Sequence, residues 1–279
     1  LFLSLGLIAV YSVMVGYLEK HYEIPPFTRG AEVTILNGLV LGVLLNFRNT
    51  AAYNRWWEGR TLWGQLVNHS RNVCLKARAF LDPDPDERRV LAALVTSFAE
   101  ALRDRLRDEH AHAPPHQPAA EVPAPRLGPV HEPIRLAGLL FERLAAWQRE
   151  GRIDGTTMLA LNDNINALMD ICGGCEKIRS TPLSFSYRAL LRHGTFVYLL
   201  LSPLLSAREV GWLGLPAFLL VSYFLIGLEV VADEVEEPFG RAGDDLDLDR
   251  ICATIRASAR QILGVDVEAV PDSVGAKAS

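Results

Sequence analysis

Residues 32–63 read EVTILNGLVLGVLLNFRNTAAYNRWWEGRTLW, and their reading decides the fold. Fifteen residues, Val33 to Phe47, carry no charge, and the stretch then turns basic and aromatic with no Pro to stop it. A helix carries that apolar run about 22 Å at ~1.5 Å per residue. This is most of a hydrocarbon core, and the uncharged ends supply the rest. On a helical wheel Leu36, Leu39, Val43 and Phe47 share one face, at i, i+3, i+7 and i+11. Gly38 and Gly42 lie four apart beside that face and let a neighbouring backbone approach. Arg48, Arg55, Trp56, Trp57, Glu58 and Arg60 crowd the end of the run. Two readings fit: a helix whose stripe faces lipid, which periodicity alone favours, and a helix whose Leu39, Val43 and Phe47 face an axis shared by several copies.

Composition supports concentrated apolar segments. The chain has 279 residues, 49% hydrophobic and 22% charged, with a net charge of −5. Its mean hydropathy is positive. The negative charge argues against a nucleic-acid partner. Cys74, Cys172, Cys175 and Cys252 fall in segments assigned to the cytoplasm, so reduced thiols are expected rather than a disulfide framework.

Four spans are expected, over about 1–18, 33–52, 194–207 and 210–228. The first carries no initiator Met, basic lead or small-residue cleavage site, so it is read as a span and not a signal peptide, with a leader expected ahead of it. Pro25 and Pro26 break the connection to the second. Between spans two and three lies a cytoplasmic helical region, 53–193. Its first part, 58–78, has an amphipathic helical pattern with Leu62, Leu66 and Val73. DPDPDE at 82–87 marks a helix start, and helices are expected over 86–110, 134–150 and 154–178. Residues 112–133 hold seven Pro and three His and are expected as a flexible loop. A second cytoplasmic stretch, 229–265, opens acidic and ends in a helix from 248 to about 263; 266–279 is expected to be a disordered tail. Lys and Arg flank spans two and three on the insertion side, which places both termini and the insertion in the cytoplasm of a multi-pass membrane protein.

Three blocks then carry a resemblance: FRNTAAYNRWWEGRTLWGQLVNHSRN, CEKIRSTPLSFSYRALL, and GLEVVADEVEEPFG followed by DDLDLDRIC. In this order and spacing they resemble the bestrophin family, its prokaryotic branch most closely, over roughly residues 1–265. The resemblance implies an all-α membrane protein, one channel domain over 1–265, assembled as a homopentamer around a central pore with a cytoplasmic helical bundle. It implies a neck at Leu39, Val43 and Phe47, which reverses the lipid-facing preference, and a second constriction near Thr156. It also implies, for animal members, a Ca²⁺ clasp matching the region of Asp244, Asp245 and Asp247. Here Arg241 and Ala242 interrupt that clasp, so no Ca²⁺ cofactor is expected and an acidic helix cap is preferred.

An apolar ring gates by dewetting and gives no charge selectivity. Selectivity is expected from vestibule charges: Arg48 on one side, Glu229, Asp233, Glu234 and Glu237 on the other. If the acids line the vestibule they concentrate cations, and if Arg48 does, anions. The resemblance to the prokaryotic members implies a monovalent cation, sodium; the alternative is a chloride or anion channel of the same architecture, and a further one is a non-conducting scaffold or sensor. Arg55, Trp56, Trp57 and Trp63 are read as an aromatic interface cluster. Cys172-Gly-Gly-Cys175 has redox or zinc half-site spacing, but no second Cys/His pair accompanies it. His112, His116 and His131 are metal candidates in a loose context. No phosphate loop, G-x-S-x-G or H-E-x-x-H occurs, so an enzyme is excluded.

Overall fold

The computed structural model describes residues 2–22, 30–107, 131–210 and 214–265, and every regular element among them is an α-helix. The helices are α1 (Phe2–Tyr22), α2 (Gly30–Phe80), α3 (Pro85–Arg107), α4 (Glu132–Arg149), α5 (Gly155–Ser180), α6 (Phe185–Val210), α7 (Gly214–Glu236) and α8 (Leu248–Leu263). The tail at 266–279 and nearly all of the Pro-rich loop, with His112 and His116, lie outside the described residues.

The second span and the amphipathic stretch after it are one helix of 51 residues. The physical reason is in the sequence: no Pro interrupts 30–80, so nothing removes a hydrogen bond or clashes with the preceding turn. Helix ends follow local chemistry. Asp84 and Glu87 form a reciprocal capping box at the start of α3, with Glu87 N donating to Asp84 Oδ1 (2.8 Å) and Asp84 N to Glu87 Oε2 (3.3 Å). Pro85 takes the first helical position, where no donor is needed. Asp247 caps α8 by accepting from Arg250 N at 3.0 Å, and Gly264 ends it in the left-handed region at φ 66°.

The chain divides into two compact units, where the sequence reads as one domain. The first comprises Leu1–Trp57, Thr181–Pro238 and Ala242–Asp245. In it α1, α6 and α7 pack on one another. Leu41 and Leu45 of α2 are buried with Leu199 and Leu225. Gly38 does what small residues do in membrane bundles: a Cβ there would sit 3.1 Å from the Tyr198 hydroxyl, whereas Gly42 faces open space. Tyr11 donates to the Leu200 carbonyl at 2.8 Å and Tyr187 to Leu44 O at 3.3 Å. Large apolar side chains stay outside, among them Ile35 at 72%, Leu7 at 66% and Phe196 at 64% exposure. An apolar surface of this extent suits lipid or a partner surface, not water. Among the described residues two helices, Thr34–Phe80 and Gly214–Glu236, are long and apolar enough to cross a membrane, and Phe2–Leu18 is a shorter apolar helix. The expected third span, 194–207, lies in α6, preceded there by Arg188 and Arg192.

The second unit comprises Glu58–Ser180, Phe239–Arg241 and Leu246–Ser279. Here α3 packs on α8 and α4, and α4 on α5. Trp63, Phe98, Leu140 and Leu168 form part of its interior. Polar contacts tie the lower half of α2 into it: Lys76 Nζ donates to Ala160 O at 2.9 Å, and Arg71 Nε to Ser258 Oγ at 3.1 Å.

Candidate functional site

In the first unit α2 has two opposed faces. Leu41, Leu45, Arg48 and Ala52 recur at i, i+4, i+7 and i+11 and are all buried, Arg48 completely. Leu39, Val43 and Phe47 lie roughly opposite, at 3.6 residues per turn, and are 65%, 48% and 61% exposed. The stripe singled out from the sequence therefore lies on the broad face that α2 leaves uncovered in a single chain, together with Ile35 and Val40.

Arg48 was expected at a vestibule. It points instead into the unit. Its guanidinium donates to Asp233 and lies 3.7 Å from Glu229. Arg192 reaches both acids from α6, at 3.2 Å each. Two guanidinium groups thus face two carboxylates, and the charges cancel. A fully buried arginine without such partners would be strongly destabilising, and its fork suits paired carboxylates.

Glu236, not among the sequence candidates, is 2% exposed. It accepts from Leu183 N at 3.0 Å and lies 3.7 Å from Arg188. The signal was present: Glu229, Asp233 and Glu236 recur at i, i+4 and i+7 on α7, one face of a helix. Glu234 and Glu237 are exposed.

The expected aromatic cluster resolves into separate roles. Arg55 donates to the carbonyls of Glu236 (Nε, 3.1 Å) and Thr181. Trp56 Nε1 donates to Asp244 O at 3.0 Å. Tyr53 stacks on Trp56 and Trp57, at 6.3 Å between centroids in both pairs, and Trp57 stays 56% exposed. Trp63 belongs to the second unit, where it is fully buried.

Thr156 is exposed in the first turn of α5, where Asp154 accepts from Thr157 N at 2.7 Å. In the acidic turn, Asp245 Oδ2 accepts from Ala242 N at 2.5 Å, and Asp247 caps α8. Two of the three carboxylates of the Ca²⁺ region therefore have local backbone partners. Asp244 is exposed.

His131 meets Cys172 and Glu176, with candidate ligand atoms within 4.8 Å of one another. Its Nε2 lies 2.7 Å from Glu176 Oε1, which Arg105 Nε also reaches, and its Nδ1 accepts from Ile134 N at 3.3 Å. That Nδ1 role leaves the proton on Nε2, facing the carboxylate, so the set reads as a hydrogen-bonded network and not a metal cage. Burial works against the Glu176 carboxylate, but hydrogen bonds from Arg105 and His131 hold its carboxyl below the ordinary range. Burial pushes the Cys172 thiol up to about 12, and that of Cys175 up as well. Both are free cysteines.

The model of the bacterial and fungal bestrophin proteins matches residues 1–261. The chain belongs to that family. Among its relatives, a voltage-dependent anion channel-forming protein of Mesorhizobium japonicum is 35% identical over 260 residues, covering 92% of this chain and 82% of that protein. One of Escherichia coli is 32% identical over 234 residues, covering 81% of this chain and 74% of that protein. The crystal structure of a bestrophin homologue from Klebsiella pneumoniae shares the fold, with a TM-score of 0.82 at 24% identity over 94% of this chain and 98% of that one. The bestrophin chain is thus a membrane protein and an ion channel, and not an enzyme.

Proposed function

We propose that this bestrophin conducts anions, as a homopentamer of the bacterial inner membrane with α2 of each copy around one axis. Leu39, Val43 and Phe47 form the neck, and Thr156 the cytoplasmic constriction. Four helices, α1, α2, α6 and α7, cross the bilayer, and both termini are cytoplasmic.

The observation that carries the anion reading is the pairing on α7. Glu229, Asp233, Glu234 and Glu237 were the acids expected to draw cations, yet Arg48 and Arg192 neutralise the first two and Glu236 beside them lies buried against Arg188. The cation-attracting field expected from Glu229 and Asp233 is cancelled close to its source. The relatives named as anion channel-forming proteins point the same way. No Ca²⁺ is required, since Asp245 and Asp247 already hold backbone donors. Purified protein in liposomes under a chloride gradient is expected to pass chloride in preference to sodium. Absence of flux of either ion would support a non-conducting scaffold instead.

A further inference from the structure

The exposed stripe of α2 does not end at Phe47. Stepping on by three and four residues leads to Thr50, Asn54 and Trp57, and all three are exposed. At ~100° per residue Thr50 and Asn54 fall within about 20° of Val43 on the wheel. Arg48, Ala52 and Arg55 lie on the far side and are buried or half-buried. The stripe therefore changes character along its length. Three apolar positions give way to a hydroxyl about 4.5 Å further along the axis and an amide about 10.5 Å further, at ~1.5 Å rise per residue.

An ion leaving a dry apolar neck has lost part of its hydration and gains most from dipoles at the next level. Thr hydroxyl and Asn amide N–H groups are donors without charge. They solvate an anion without trapping it, as a ring of Lys or Arg would. The nearest cations on the same helix, Arg48 and Arg55, are committed elsewhere, to Asp233 and to backbone carbonyls. Charge selectivity beside the neck then depends on neutral donors.

We infer that Thr50 and Asn54 line the conduction path immediately beyond the neck and act as its anion-solvating, selectivity-setting residues. This rests on the pore reading of Leu39, Val43 and Phe47. The test is planar-bilayer recording of full-length wild type, Asn54→Asp, Thr50→Val and Val43→Ala, each first shown to elute as the wild-type oligomer. Asn54→Asp sets a carboxylate ring at that level, so the reversal potential in a salt gradient is expected to move toward the cation side. Thr50→Val keeps the shape and removes the donor, so single-channel conductance is expected to fall. Val43→Ala reports on the neck alone and is expected to raise conductance. If Val43→Ala raises conductance while Asn54→Asp and Thr50→Val both leave conductance and reversal potential unchanged, the two residues do not face the path and the inference is overturned. If all three variants behave as wild type, the pore reading itself has failed and takes the inference with it.

Discussion

Arg48 follows Phe47 directly, yet one side chain is fully buried and the other 61% exposed. The 100° step of a helix separates them. Sequence reading made Arg48 a vestibule charge because its partners lie 181 to 185 residues away, and no local pattern reveals them. Asp233→Asn should lower the stability of the detergent-solubilised protein by about 1.5–3 kcal/mol, the range for a lost hydrogen bond to a charged group. Adding Arg48→Met should recover part of that loss; a double variant less stable than either single one would contradict the pairing. Glu87 gives a pH prediction. The hydrogen bond from Arg152, 2.7 and 2.9 Å to the two oxygens, holds its carboxyl well down, to about 2, with help from Trp147. A carboxyl lowered on folding stabilises above its unfolded value and loses that contribution as pH falls. Glu87→Gln should therefore lower the melting temperature at pH 7, and the difference should close between pH 4.5 and about 2.

Among the elements, α2 was legible in its pattern and not in its length. The apolar run and the amphipathic run have different surroundings, and the sequence reading divided them at a change of composition. The backbone has no reason to stop there, since composition alone does not break a helix and Pro does. The two glycines of α2 were equally prominent in the sequence; only Gly38 has Tyr198 against it. Which glycine meets a neighbour depends on α6, far along the chain. On α5, Cys172 and Cys175 sit three apart on one buried face, and burial raises both thiols. A thiol is reactive as its thiolate. Both should resist alkylation by maleimide at pH 7.5 in the folded protein and react fully after unfolding. Rapid labelling of the native protein would show that α5 opens.

For the whole molecule, the three sequence blocks identified the family, and the all-helical architecture followed from it. The sign of the permeant ion did not, because it depends on which charges are paired in space. The acids of α7 look free in the sequence and are largely committed in the fold. Micromolar Ca²⁺ should leave flux unchanged, since Arg241 and Ala242 interrupt the acidic turn and Asp245 and Asp247 accept from local backbone N–H groups; a clear response would return Asp244 and its neighbours to consideration. The reversal potential of the wild-type channel in a planar bilayer, under a sodium chloride gradient, tests the anion claim most directly. It is expected to lie near the equilibrium potential of chloride, and a value near that of sodium would contradict the account.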